Sequence, residues 1–332
     1  MGNKNDKQSI AVWDSTTLKD ADAKLMVQVS KQEWQAIKSK LEEKLFNLPD
    51  TYLKQQDDTA IQKSLANLLK ELCPELAQKA SLVLEKMDSG YRFCILKGFR
   101  FTELDEKSSK LLMLGFSCLV GSPTATDKVT KTVLWPVRPE KLHTVENTTF
   151  SQRTGEAAYH TDTQYFENPE KYMSLWCLNP DRNGGGKSGL LDGRKVIEEI
   201  KKRYGNDVTQ TLSDITYPFR VPSVFTAQGN DAQTEVYYGS VLNTTDKTKP
   251  LIRYRKETLD KGMSAGATNL DEQHRHALAC IEELVNDESL EFTYLLEKDD
   301  VIFANNHELL HKRTHFDDLE RFLIRIRLNP RT

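Results

Sequence analysis

Ser89-Gly90-Tyr91-Arg92-Phe93-Cys94-Ile95-Leu96-Lys97 divides the chain into two textures. Before it, apolar residues recur at helical spacing. After it, they come in short β-type runs between polar turns. Upstream, Ser30-Lys31-Gln32-Glu33 has the form of a capping box, with Val29 and Trp34 placed as a hydrophobic staple. Trp34, Ile37, Leu41 and Leu45 continue the stripe until Pro49 stops it. A second stripe carries Ile61, Leu65, Leu68 and Leu72 and ends before Pro74. A third runs from Leu76 to Met87 and closes on Ser89-Gly90, a glycine cap. The first ninety residues therefore read as a helical layer.

Downstream, β-type runs cover 91–97, 129–137, 172–178, 215–221, 235–241, 251–254, 292–296, 301–304 and 322–328. Helical inserts at 194–204 and 272–285 interrupt them. Many short strands between turns favour a sandwich or barrel over a parallel doubly wound sheet. There is no internal repeat and no low-complexity linker, so residues 1–332 are expected to form one domain, with 1–90 as a helical layer and 91–332 as the core. The stretches 121–128, 144–156 and 228–232 read as polar loops, the usual carriers of function.

Composition narrows the functional classes. The 332 residues carry 46 Lys+Arg and 49 Asp+Glu, a net charge of −3, and no long basic stripe, which argues against nucleic acid as the main partner. No apolar run is long enough to span a bilayer. The start, Met1-Gly2-Asn3-Lys4-Asn5-Asp6, has no apolar signal core. Cys73, Cys94, Cys118, Cys177 and Cys280 are odd in number and widely spread, and three of them sit in apolar segments. Buried reduced thiols and a cytoplasmic setting are expected.

The sharpest chemical feature is Tyr159-His160-Thr161-Asp162. Residues two apart on an extended chain face the same side, so His160 and Asp162 can reach one metal ion. With 7 His and 49 acids in 332 residues, roughly one His-x-acid match is expected by chance, and the chain has two. His315-Phe316-Asp317 is the expected decoy. The first pair gains weight from candidates for a third ligand in Asn305-Asn306-His307-Glu308-Leu309-Leu310-His311-Lys312-Arg313. Two imidazoles and one carboxylate on one face of a metal leave positions open, which suits non-haem Fe(II). Ten and fourteen residues past His311 come Arg321 and Arg325, which with Arg327 alternate with Phe322, Ile324 and Ile326. An inward guanidinium on such a strand grips a carboxylate through two parallel hydrogen bonds; the alternative is a solvated face of surface arginines.

Together His160-x-Asp162, His311 and the downstream arginines resemble the Fe(II)/2-oxoglutarate-dependent dioxygenases of the taurine dioxygenase and clavaminate synthase type. Gly185-Gly186-Lys187-Ser188-Gly189, taken to open a helix, resembles the family's Gly-Gly-x-Ser/Thr segment. Asn306-His307-Glu308-Leu309-Leu310-His311-Lys312-Arg313 resembles its Asp-Asn-x-x-x-x-His-Gly-Arg, and 91–98 its early strand. The resemblance spans roughly 90–330 and implies a mainly β fold with α, a double-stranded β-helix (jelly roll) core under the N-terminal helical layer. It implies that His160, Asp162 and His311 hold Fe(II), that Arg321 with Ser188 pairs with the distal carboxylate of 2-oxoglutarate, and that Arg325 reaches the other carboxylate or the substrate. The implied reaction uses O2, releases succinate and CO2, and hydroxylates an unactivated C–H bond of a small molecule, a free amino acid or an amino-acid-derived intermediate of secondary metabolism. Loops 144–159 and 163–171 flank the pair and are expected to form the lid. Three departures stand out: Asp299-Asp300 replaces Gly-Asp, Asn305-Asn306 replaces Asp-Asn, and Arg255 reverses a charge in Leu251-Ile252-Arg253-Tyr254-Arg255-Lys256-Glu257.

Three other readings use the same residues. His307-Glu308-x-x-His311 is formally a zinc-peptidase pattern, which would require a helix, and its extended form wants His where Asp317 stands. Gly184-Gly185-Gly186-Lys187-Ser188 mimics a phosphate loop but has Asp181 in place of the first glycine. A non-catalytic jelly-roll binding module with a decayed metal site is the third.

Overall fold

A computed structural model describes residues 12–18, 22–126, 130–139, 150–222, 235–265 and 270–331. The expected loop at 228–232 and parts of those at 121–128 and 144–156 lie outside them, and the described part of 121–128 contains the short strand Ser122–Thr124.

Ser30 caps the helix Lys31–Phe46 as expected: its hydroxyl accepts from Glu33 N (3.2 Å) and Ser30 N donates to Glu33 Oε2 (2.7 Å). Trp34, Ile37, Leu41 and Leu45 are its buried face. In the helix Thr59–Leu72 the buried stripe is Gln62, Leu65 and Leu69, rotated by one position from the expected Ile61, Leu68 and Leu72. Gln62 goes inside because its amide donates to the carbonyls of Gln56 and Pro123, which satisfies it there. The helix Pro74–Ser89 ends on Gly90, where a Cβ would meet the Lys86 carbonyl oxygen at 2.7 Å.

The helical layer also includes Glu106–Val120, which sequence periodicity misses. Every residue from Leu111 to Val120 is buried, so the helix has no polar face to create a 3.6-residue rhythm. Gly115 lets it lie close against Leu65 and Leu69.

Behind this layer stands a large sheet in the order Met26–Gln28, Phe93–Lys97, Val301–Asn305, Tyr172–Asn179, Phe322–Asn329, Ser122–Thr124, with Trp135–Val137 also pairing with Phe322–Asn329. Its first pair is parallel and the rest are antiparallel. A smaller antiparallel sheet runs Phe292–Tyr294, Ser188–Asp192, Leu309–Arg313, Ala157–His160. Strand alternation sorts the side chains between three cores. From the large sheet, Cys94, Leu96, Trp176, Phe303, Ile324 and Ile326 pack on the helical layer. Phe93, Ile95, Met173, Ile302 and Leu323 face inward and meet Leu190 and Leu309 of the small sheet. Leu191, Leu310 and Tyr159 point outward under the helices Gly193–Tyr204 and Glu272–Val285. The architecture is mixed α/β.

Some expected elements differ. The 129–137 run shortens to Trp135–Val137, because Gln56 Oε1 takes the N–H groups of Val133 and Leu134 before a ladder can; residue 129 lies outside the described residues. The 251–254 run is no strand but a segment with one isolated bridge, from Ile252 to Leu242, since the N–H groups of Leu251, Ile252 and Arg253 go to His307 and Val241. The helices Asn206–Leu212 and Lys256–Ser264 and the strand Ala157–His160 were not anticipated. All five cysteines are free and buried. Among the described residues, no helix is long and apolar enough to cross a membrane.

Candidate metal centre

Register places the two predicted histidine ligands together. His311 on Leu309–Arg313 sits directly opposite His160 at the end of Ala157–His160. Directly opposed residues of an antiparallel pair project on one face, and here the ring centroids are 4.3 Å apart. Past His160 the chain turns sharply, with Thr163 at φ 53, a backbone region a β-branched residue seldom occupies. That turn carries Asp162. One donor atom each from His160, Asp162 and His311 lie within 4.8 Å of one another.

The donor chemistry fits a divalent cation. His160 Nδ1 is 2.8 Å from the Ala158 carbonyl, an acceptor, so the proton belongs on Nδ1 and Nε2 is the ligating nitrogen. Burial lowers the pKa of both imidazoles and keeps them neutral, the form that binds metal. Burial alone would raise the Asp162 pKa, but Arg325 and Arg327 outweigh it and hold the carboxyl well below the usual carboxylate range. Its Oδ1 accepts from Arg325 Nη1 at 3.2 Å, while Oδ2 is buried with no hydrogen-bond partner. An orphaned carboxylate oxygen facing two neutral imidazoles calls for a cation.

Asn306 fixes Asp162 by its main chain. Its Oδ1 accepts from Asp162 N (2.7 Å), and its Nδ2 donates to the carbonyls of Asp162 (3.1 Å) and Glu170 (2.8 Å). Glu170 in turn accepts from Thr163 Oγ1 (2.6 Å), which holds the strained turn, and pairs with Arg327 (3.6 Å). Neither role is legible in the sequence, where Asn306 is only part of a motif and Glu170 one of many acids. Asn306→Ala strands three buried main-chain groups, so it is expected to cost about 2–3 kcal/mol, seen as a lower thermal midpoint. Weaker metal binding by titration should accompany it. A midpoint loss with unchanged metal affinity would leave Asn306 a purely structural residue.

The arginine face of Phe322–Asn329 points between the sheets, not to solvent: Arg325 meets Asp162 and Arg327 meets Glu170. Arg321, just before that strand, is buried, donates to the Gly186 carbonyl at 3.2 Å and lies 4.7 Å over the Phe316 ring. Burial pulls its pKa down to about 10, and its Nη1 is buried without a partner. Gly186 has φ +67, and a Cβ there would come within 2.5 Å of Arg321 Nε, so only glycine allows the approach. Ser188, two residues on, is buried on the strand Ser188–Asp192. The segment opens that strand first, and the helix Gly193–Tyr204 only afterwards.

The competing patterns dissolve. His307 and Glu308 lie in a turn between the strands Val301–Asn305 and Leu309–Arg313, not on a helix. His307 Nε2 is 2.9 Å from the Pro169 carbonyl, and Glu308 pairs with Arg92 at 2.8 Å. Ser188 begins a strand, so the glycine run does not lead into a helix N-terminus as a phosphate loop must. His315 and Asp317 form an exposed pair at 2.8 Å. The lid expected over 144–159 falls partly outside the described residues; the 163–171 stretch is held by Arg253, which donates to the carbonyls of Gln164, Phe166 and Glu167.

The family model for the taurine catabolism dioxygenase TauD, TfdA family matches residues 56–327. The fold is similar to that of an asparagine oxygenase in complex with Fe(II), 2S,3S-3-hydroxyasparagine and succinate, at TM-score 0.69 and 17% identity over 92% of this chain and 93% of that one. It is also similar to the non-heme iron oxygenase OrfP in complex with Fe, succinate and (3S)-hydroxy-L-Arg, at TM-score 0.68 and 16% identity over 92% and 94%. No curated protein matches the sequence.

Proposed function

The chain belongs to the taurine catabolism dioxygenase TauD, TfdA family, and from that premise we propose that it is an Fe(II)- and 2-oxoglutarate-dependent hydroxylase of a free amino acid or a close derivative. The observation that carries this is the convergence of His160, Asp162 and His311, distant in sequence, around one point between the sheets. In this reading they hold iron on one side and leave its other positions to cosubstrate and O2. When bound, iron and 2-oxoglutarate supply the oxidation, with O2 consumed and succinate and CO2 released. The side chains position and exclude water. Arg321, desolvated and with an unanswered N–H, receives the distal carboxylate of 2-oxoglutarate, and the Ser188 hydroxyl assists from the same end. Arg325, which keeps Asp162 ionised, is assigned to the other carboxylate or to substrate.

The substrate class is supported by the similar proteins, whose complexes contain hydroxyasparagine and hydroxyarginine. The two facing sheets support a double-stranded β-helix. A single domain over 1–332 is supported by Met26–Gln28, which comes from the helical 1–90 part yet pairs with the core strand Phe93–Lys97. Five free, buried cysteines support a cytoplasmic setting.

Anaerobic protein mixed with Fe(II), 2-oxoglutarate and a panel of amino acids is expected, once O2 enters, to form succinate and one product heavier by ~16 Da. Succinate no greater than in a control without Fe(II) would sink the assignment.

A further inference from the structure

We infer that Gln164 sets the specificity for an α-amino acid by accepting an N–H of the substrate's ammonium on its side-chain carbonyl; this rests on the hydroxylase reading above. Among the described residues, two buried side-chain oxygens that can only accept hydrogen bonds have no partner, Asp162 Oδ2 and Gln164 Oε1. They belong to residues two apart, on the turn that follows the strand Ala157–His160. Both are shut off from solvent, so each needs a bound group to answer it. Asp162 Oδ2 belongs to the metal point and takes a cation. Gln164 Oε1 carries no charge and takes a donor.

The rest of Gln164 is fixed beside the metal ligands. Its Nε2 donates to Thr258 Oγ1 (2.9 Å), whose own single proton goes to the Arg255 carbonyl (2.9 Å), so the amide is turned with Oε1 as its open end. Its main-chain carbonyl accepts from Arg253 Nη1 (2.7 Å). His311, His160 and Arg255 stand in one row across the small sheet, and the Thr161 N–H on the Tyr254 carbonyl (2.8 Å) ties the same two segments together. Gln164 is thus clamped between the segment that carries His160 and Asp162 and the segment 253–258. The carboxylates around it are already answered: Asp162 by Arg325, Glu170 by Arg327, and Glu257 by Arg255 and Lys261. An ammonium entering the site would have to displace a side-chain cation from any of them, whereas Gln164 Oε1 is held by none. Asp162, which Arg325 contacts, and Gln164 are at most ~7 Å apart along the chain. With hydrogen bonds of ~2.9 Å at each end, one α-amino acid spans the two, carboxylate to Arg325 and ammonium to Gln164.

The test is titration calorimetry on the anaerobic chain loaded with Fe(II) and 2-oxoglutarate. The ligands are the common amino acids and, for the tightest binder among them, its desamino analogue with hydrogen in place of the ammonium. The unaltered chain should prefer the amino acid by about a hundredfold or more. Gln164→Met, close in length but without the carbonyl, should weaken the amino acid by about tenfold or more and the analogue by less than about threefold, with Fe(II) and 2-oxoglutarate affinities kept. Gln164→Glu retains an acceptor and should bind the amino acid at least as tightly as the parent. Equal binding of amino acid and analogue by the unaltered chain, or binding of no amino acid, overturns the inference while the cosubstrate assignment stands. An equal loss for both ligands in Gln164→Met does the same. A selective loss of the amino acid in Gln164→Glu overturns it as well, which decides the matter if Gln164→Met does not fold. Weaker Fe(II) binding in Gln164→Met makes the side chain a metal group and also overturns it. Failure of 2-oxoglutarate to bind at all brings down the hydroxylase reading itself, and the inference with it.

Discussion

Asp162→Ala is expected to reduce succinate formation by about a thousandfold or more, to the level of metal in solution. Asp162 supplies the only anionic donor of the convergent set, and its Oδ2 has no other partner. Two neutral imidazoles alone hold a hard divalent ion weakly, so Fe(II) titration should lose most of its affinity. A second effect has the opposite side of the ion pair as its cause. Arg325 is packed beside Asp162 at 3.2 Å, and truncation removes its ion-pair partner and leaves only the weaker influence of Glu170, a loss of about 3 kcal/mol in the metal-free protein. Because Arg325 and Arg327 hold the carboxyl below its ordinary range, the contribution is fully present at neutral pH. It fades only as pH falls through the ordinary carboxylate range toward the depressed folded value. The thermal midpoint of the variant should therefore approach that of the parent in acid and diverge from it near neutrality. An Asp162→Ala protein that turns over normally would dismiss the triad.

Elements that face two environments were legible in the sequence, as were short apolar β runs such as 91–97 and 301–304 that are buried on both faces; a long helix buried along most of its length was not. The capping box at Ser30 and the alternation of Arg321 to Arg327 both carry a polar side and an apolar side, and both appear as read. From Leu111 onward the helix Glu106–Val120 is enclosed all round and shows no rhythm. The strand Ser188–Asp192 is also buried on both faces, and its glycines made it read as the opening of a helix. Ligand types could be picked out because a metal demands a short list of donors, whereas the groups that aim them, such as Asn306 and Glu170, act through main-chain geometry that only the folded chain displays. Asp299 shows how a departure from a motif is absorbed. It stands at φ 70 where glycine is usual, which aspartate tolerates, and its carboxylate accepts from Thr102 N and Oγ1.

Arg321→Ala is expected to raise the KM for 2-oxoglutarate by about a hundredfold, near 2.7 kcal/mol, while the KM for substrate changes by less than about threefold. The separation follows from position. Arg321 approaches Gly186 and Phe316, away from the row in which Arg255 borders His160. Arg313 lies over the same Phe316 ring at 4.8 Å, so two guanidiniums share one aromatic in a desolvated pocket. Burial, and then the neighbouring Arg321, draw the Arg313 pKa down to about 10. Arg313 Nη2 donates to the carbonyls of Arg153 and Gly155 and so braces the chain, whereas Arg321 Nη1 is buried without a partner, which is why Arg321 is the guanidinium proposed to receive the dicarboxylate. Removal of Arg321 takes away a desolvated charge with an orphaned N–H, so the metal-free protein should melt no lower than the parent. Arg321→Lys keeps the charge but not the planar fork, and about a tenfold rise in KM is expected from it. An unchanged cosubstrate requirement in Arg321→Ala would reject the role. A drop in thermal midpoint without a KM effect would instead make Arg321 a packing residue.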